Sequence, residues 1–561
     1  MIDRDLIWRL AAENRLKYGE ASTKSVLGKV LASKPEYKSR IREVISVVEE
    51  VVREVNNEDL DRLRELIGDI GKRRKRSTEE FNIPELPNAV EGKVYTRFAP
   101  NPDFVLHLGS LRPLIYSYEY ARRYRGRFYV RFEDTDPKTK RPEPEFYEGI
   151  RRDIEWLGIK PDKYVYQSDR LELYYQVARC LIRRGLAYVC LCTREEFKRY
   201  VSRGAACPHR EHDVTVNEEL FERILSGVYG EGEAVYRVKT DLNHPNPSVR
   251  DWAGLRIIDT SRYPHPRKGD KYIVWPLYNF SCAVDDHYME ISHVLRGSEH
   301  KVNEEKQHYI FRYMGWREPV YIHHGRVAIP EGILSKSRIL KGIKEGLFSG
   351  VDDPRLATIA AFRRRGFHPK ALYNVVLKTG LSTSITTIDL SMLYRENKRL
   401  IDKDSNRYFG VREPIEIEVY IPEDLKVSIR RHPDYPERGY RSYSLAKGVH
   451  KILIDVGDEG NLGRSFRLIG VGNFRMDGGL YTLFSKSVDE ARRLGIPFIH
   501  WVLREGAVKT TLIYPDRIYS GYSEKYLLGE GVGRNIQFER LGYFKIEDID
   551  GEVVKTIFTH P

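Results

Sequence analysis

The sequence predicts a multidomain chain built around a doubly wound α/β domain, with helices ahead of it and an all-β region behind it. Three observations predict this. From Gly92, apolar runs such as KVYTRF and GRFYVRFED alternate with amphipathic runs such as EPEFYEGIRRDIEWLGI and DRLELYYQVARCLIRRG. That alternation is the pattern of a parallel sheet with helical crossovers. Ahead of it, KSRIREVISVVEEVVREV and DRLRELIGDI repeat Ile, Val and Leu at three- and four-residue spacing, as helices do. From Asp404 onward, short alternating segments such as IEIEVYIP and GLYTLFS are separated by Gly, Pro and Asp, which reads as barrels.

The elements follow in order. Residues 1–85 form a helical extension ending in a charge run, GKRRKRSTEE, and a Pro-spaced linker. Residues 86–185 hold the first half of the α/β domain. Residues 186–273 are irregular and proline-rich, as an inserted domain would be, and 274–340 complete the α/β domain. A helical region occupies 341–403, and the β region occupies 404–561.

Composition narrows the function classes. A net charge of +13 over 561 residues points to a polyanionic partner. No apolar run is long enough to span a membrane, so none is expected as a partner. Five cysteines make no disulfide framework for a chain this size, and MIDRDLIWRLAAENRLKYGE has no signal-peptide pattern. The expectation is a cytoplasmic protein.

The stretch PNPDFVLHLGS, residues 100–110, leaves a strand and opens a helix. Such a turn suits an anion, because the first helical amides point outward unpaired. Pro100 and Pro102 stiffen its approach, Gly109 leaves room beside the backbone, and His107 can donate to phosphate oxygens. A lone histidine near a turn is more often structural. GILSKSRI, residues 332–339, has the make-up of a phosphate-contacting loop, with Lys336 flanked by Ser335 and Ser337. A third feature is YVCLCT…AACPHREH. The close pairs Cys190/Cys192 and Cys207/His209 suit a tetrahedral Zn²⁺, with His212 a spare ligand. The alternative is buried cysteines without metal.

Taken together, these stretches resemble a known family. HLGS resembles the HIGH motif of class I aminoacyl-tRNA synthetases, and ILSKS resembles their KMSKS motif. Between and beyond them, RFAPNPDFVLHLG, RFEDTDPKTKRPEP, WPLYNFSCAVDDH, HVLRGSEH and YRENKRLIDKDSNRYFGV are similar to archaeal glutamyl-tRNA synthetases, close relatives of the glutaminyl enzymes. The likeness runs from about residue 92 to the end. Two positions depart from the motifs. The second histidine of HIGH is Ser110, whose hydroxyl can still cap or donate, and the first lysine of KMSKS is Ile333, leaving Lys336 to carry the charge.

The resemblance implies a Rossmann-like catalytic domain with an inserted acceptor-end domain, a helical connecting domain and C-terminal anticodon-binding β-barrels. It implies ATP with Mg²⁺, activation of L-glutamate as an adenylate, and transfer to tRNA(Glu), with tRNA(Gln) as a second acceptor. His107, Gly109, Ser110 and Lys336 would carry catalysis; Pro100, Pro102, Ser335 and Ser337 would join His107, Gly109 and Lys336 around ATP. Arg97 and Arg296 would face the substrate side-chain carboxylate, Glu133 its ammonium, and Tyr278 would line the pocket. A metal set like Cys190, Cys192, Cys207 and His209 occurs in some bacterial glutamyl enzymes. Arg296 favours glutamate over glutamine, since a guanidinium fork matches a carboxylate, whereas glutaminyl enzymes carry a small uncharged residue there. Pairing of Arg296 with Glu299 or Asp285 is the structural alternative. The rival functions are a glutaminyl-tRNA synthetase, an inactive tRNA-binding paralogue, and a tRNA-modifying glutamyl-transferase, which lacks the anticodon region. A monomer is expected, with the N-terminal extension free to dock a protein.

Overall fold

The computed structural model describes residues 2–59, 62–63, 83–329 and 335–561. It divides into two compact units, Met1–Asn82 and Ile83–Pro561. The first holds α1 (Arg4–Tyr18), α2 (Thr23–Ser33) and α3 (Ile41–Asn57). The three- and four-residue spacing of Val44, Val48, Val51 and Val55 puts them on one face of α3, where all are buried beside Ile7 and Val26. Asp3 caps α1 by accepting from the Leu6 amide at 3.0 Å. The charge run at 71–80 and most of DRLRELIGDI lie outside the described residues.

The second unit begins with β1 (Tyr95–Phe98), α4 (Leu111–Arg123), β2 (Arg127–Phe132), α5 (Pro144–Trp156) and β3 (Lys163–Tyr166). The three strands are parallel and ordered β1-β2-β3. Gly126 is obligatory at the return into β2: a Cβ there would sit 1.8 Å from the Val94 carbonyl oxygen. After α6 (Leu171–Arg183) the chain leaves this sheet. It builds an antiparallel one from β4 (Ala187–Cys190), β5 (Val235–Val238), β6 (Ala253–Ile257) and β7 (Val274–Pro276), with α7 (Arg194–Ser202) and α8 (Val214–Leu225) between β4 and β5.

The chain then returns through α9 (Tyr278–Tyr288), β8 (His293–Gly297), α10 (Lys301–Met314) and β9 (Val320–His324), and β8 and β9 pair in parallel. The Ser292 amide donates to Tyr95 O at 2.9 Å, and the Tyr95 amide to Ser292 Oγ at 2.8 Å, which sets β8 beside β1. The strand sequence is therefore β3-β2-β1-β8-β9. Its direction of winding reverses between β1 and β8, and a crevice opens at the carboxyl ends of strands at such a switch point.

Four helices follow: α11 (Lys336–Lys344), α12 (Ile359–Arg364), α13 (Pro369–Thr379) and α14 (Leu390–Ile401). Ile339 of α11 packs in one apolar cluster with Phe104, Val105 and Phe146. Beyond them lie two seven-stranded sheets. The edge strands of one are Asn406–Tyr408 and Gly410–Arg412, separated by Phe409 alone; those of the other are Phe498–Ile499 and Trp501–Leu503, separated by His500 alone. Edges that are neighbours in the chain curl each sheet back on itself, as in a barrel. His500 Nε2 and the Gly410 carbonyl oxygen, 2.9 Å apart, join the two seams.

Candidate active site

A cavity of about 750 Å³ opens at the switch point, between the ends of β1 and β8. Arg97, His107, Gly109, Glu133, Tyr278 and Arg296 all line it. They come from β1, the turn before α4, the end of β2, the start of α9 and the end of β8, so the topology gathers residues up to 199 positions apart (296 − 97).

The turn before α4 is pinned from several sides. The Glu133 amide donates to Pro100 O at 3.0 Å and the Glu143 amide to Pro102 O at 2.9 Å. Leu108 N–H donates to Ala357 O at 3.1 Å and Ile359 N–H to Leu106 O at 3.0 Å, bridging the turn to the start of α12. Ser110 closes it, its amide donating to His107 O at 2.8 Å. Gly109 leaves the room that the His107 ring occupies, since a methyl there would meet His107 Cε1 at 2.9 Å and push the ring aside. Burial pushes the His107 imidazole below its ordinary pKa, so the ring is neutral at pH 7 and carries one N–H. Its Nδ1 is buried without a hydrogen-bond partner.

Lys336 stands at the first turn of α11, between Ser335 and Ser337, and its Nζ contacts Asp103 Oδ2 at 2.5 Å. The two motifs, more than 220 residues apart, thus meet through one ion pair beside an apolar cluster. Ile333 lies outside the described residues. Asp103 belongs to the same turn as Pro102 and His107, and nothing in its local sequence marks it as the partner of a distant lysine.

The inner wall is a charge network. Asp286 accepts from Arg97 Nε at 3.1 Å and Nη2 at 3.3 Å, and from Arg131 Nη1 at 2.6 Å. Burial alone would raise this carboxyl's pKa; the two guanidiniums outweigh it and hold Asp286 ionised. Glu133 contacts Arg131 Nη2 at 3.2 Å and accepts from the Cys282 thiol at 3.0 Å. Asp285 is taken up by Arg170 Nε at 2.6 Å, Tyr174 at 2.8 Å and Gln167 at 2.9 Å. Two adjacent acids inside the apolar run FSCAVDDHY are the sequence signal for this network.

Arg296 differs. It is 5% exposed, its Nη1 donates to Gln307 Oε1 at 3.0 Å, and its Cζ lies 4.5 Å from the centre of the Tyr321 ring. Its Nε and Nη2 are buried without a hydrogen-bond partner. Neither Glu299 nor Asp285 pairs with it, which sets aside the structural alternative; Glu299 instead lies 3.6 Å from Arg326. At the end of β9, His324 also lines the cavity, 5% exposed, with Nε2 unpartnered. Its neighbours in the chain give no hint of that position.

In the inserted segment, donor atoms of Cys190, Cys192, Cys207 and His209 all lie within 4.8 Å of one another. Cys190 Sγ is 3.9 Å from Cys207 Sγ, and Cys192 Sγ 3.4 Å from His209 Nδ1. Bonds of about 2.3 Å to sulfur and 2.0 Å to nitrogen in a tetrahedron require separations of about 3.5–3.8 Å, so the group fits Zn²⁺. Cys190 ends β4 and Cys192 follows it in a loop; His212 stacks edge-on against His209 and stands outside the set of four.

The model of the tRNA synthetases class I (E and Q) catalytic domain matches residues 93–403, and that of the anticodon-binding domain of the same class matches 405–487. The glutamate–tRNA ligase of Pyrococcus abyssi is 45% identical over 554 residues, covering 97% of this chain and 96% of its own. That of Thermococcus kodakarensis is 45% identical over 572 residues, covering 99% of each. A solved glutamate tRNA ligase from Elizabethkingia meningosepticum in complex with its amino acid is 24% identical, with a TM-score of 0.41, over 55% of this chain and 70% of that one.

Proposed function

The chain belongs to the class I tRNA synthetases of the glutamyl and glutaminyl group, and on that premise we propose how its cavity ligates L-glutamate to tRNA(Glu) with ATP. The α-carboxylate of glutamate attacks the α-phosphorus of ATP, and pyrophosphate leaves with the bonding pair. The terminal ribose hydroxyl of tRNA then attacks the carbonyl carbon of the adenylate and releases AMP. A carboxylate is already a nucleophile, so the first step needs positioning and charge stabilisation more than a base.

The neutral His107 donates to the phosphates beside the amides opening α4, while Gly109 and Ser110 keep the turn's shape. Pro100 and Pro102 fix its approach. Lys336, with Ser335 and Ser337 at its sides, exchanges Asp103 for the leaving pyrophosphate. ATP enters as its Mg²⁺ complex, the ion held by phosphate oxygens. Arg296 reads the substrate's side-chain carboxylate, Tyr278 and Arg97 wall that end of the cavity, and Glu133 takes the ammonium. Cys190, Cys192, Cys207 and His209 hold a structural Zn²⁺ that fastens the inserted domain, which grips the tRNA acceptor end.

The observation that carries the reading is the buried guanidinium of Arg296 with two N–H-bearing nitrogens open. A glutamine side chain would leave its charge unanswered, which argues against the glutaminyl alternative. The β region from residue 404 supplies the anticodon contacts, and tRNA(Gln) is a second acceptor. The enzyme works as a cytoplasmic monomer, with the N-terminal helices available to a protein partner; no described helix is long and apolar enough to cross a membrane. Aminoacylation of tRNA(Glu) and tRNA(Gln) with labelled glutamate and glutamine tests the amino acid and the tRNA range together. Glutamate on both tRNAs is expected; preferential use of glutamine, or no charging at all, would overturn the reading.

A further inference from the structure

Every other guanidinium lining the cavity has a carboxylate against it. Arg97 is bound to Asp286, Arg256 Nη2 lies 2.8 Å from Asp136, and Arg326 lies 3.6 Å from Glu299. Arg131, just behind the wall, shares Asp286 and Glu133. Arg296 alone among these meets a neutral amide, that of Gln307, which is 0% exposed on α10. The amide's orientation is fixed as well, because Gln307 Nε2 donates to Asn279 Oδ1 at 3.4 Å and leaves Oε1 for the arginine. The Glu304 carboxylate lies 3.3 Å from His323 Nε2, an imidazole that burial and then Arg296 keep neutral; it is not in ion-pair contact with Arg296 and acts on it only from a distance.

A buried cation without a counter-charge is costly, and the cost is recovered only when a ligand brings the charge. A carboxylate at position 307 would have nearly the same shape as the amide and would cancel that demand before substrate arrived. We propose that Gln307 is the positioning residue for amino-acid selection. It fixes the Arg296 fork by one hydrogen bond while leaving its charge unspent, so that only an acidic side chain completes the site. This rests on the assignment of Arg296 to the substrate side chain.

The test is Gln307→Glu in the full-length chain, with Gln307→Met as the variant that removes the acceptor without adding charge. Steady-state aminoacylation of tRNA(Glu) is measured for glutamate, glutamine and ATP. Gln307→Glu is expected to raise the glutamate KM by about tenfold or more, to leave the ATP KM within about twofold, and to narrow the preference for glutamate over glutamine. Gln307→Met should raise the glutamate KM only a few-fold. An unchanged glutamate KM in Gln307→Glu, or equal losses in the two variants, overturns the proposal. An unchanged ATP KM also certifies that the variant is folded, and Asn279 can turn its amide to donate to the new oxygen. Arg296→Ala separates the two levels. If it abolishes glutamate use while Gln307→Glu does nothing, Gln307 is dismissed and the reading of Arg296 stands. If Arg296→Ala leaves the glutamate KM unchanged, that reading itself fails.

Discussion

A methyl group added at Gly109 would sit 2.9 Å from His107 Cε1 and 3.0 Å from Nδ1. Non-bonded carbons prefer about 3.5–4.0 Å, so the imidazole would have to retreat by about 0.5–1 Å. The ring is the phosphate donor in the proposed mechanism, and a misplacement on the order of 1 Å in such a group can slow a reaction about 100-fold. The backbone at Gly109 is not in the left-handed region, so alanine meets no conformational penalty. It should even stabilise the fold slightly by restricting the unfolded chain, by about 0.5 kcal/mol. Gly109→Ala is therefore expected to lower the rate of glutamate-dependent pyrophosphate exchange, measured with tRNA present, by about 10- to 100-fold while Tm holds or rises. In the His107→Ala background there is no ring to displace, and adding Gly109→Ala should change the rate less than about twofold. Equal losses in both backgrounds would show that Gly109 acts by some other route than His107, and an undiminished rate in the single variant would refute the steric argument outright.

Two further outcomes follow from the same geometry. Lys336→Ala should slow adenylate formation in single-turnover assays by about 100-fold or more with little loss of Tm, because the partly exposed pair with Asp103 contributes less than about 1 kcal/mol; unchanged turnover removes the lysine from the mechanism. Purified protein should carry one zinc per chain by atomic absorption, and Cys207→Ser should lower both metal content and Tm; a metal-free chain with unchanged melting would dismiss the site.

Sequence and structure divide the account unevenly. The strand–helix alternation from Gly92, the turn around His107 and the Cys/His pairs can be read directly, because each depends on neighbours within a few residues. The sequence cannot say what each charge faces. Asp103 meets Lys336 across 233 positions, and Asp286 meets Arg97 across 189. No local pattern encodes such pairings, since they depend on which strand ends the fold brings together.

The sequence by itself determined the kinds of group available: a neutral-capable imidazole, a lysine between two serines, several arginines, and thiols at metal-ligand spacing. Only the tertiary structure decided which arginine has no carboxylate in contact with it. Arg97, Arg131 and Arg296 are alike as letters, and folding puts carboxylates on the first two and an amide on the third. Electrostatic energy depends on the distance and burial of the partner, and those are properties of the packed chain.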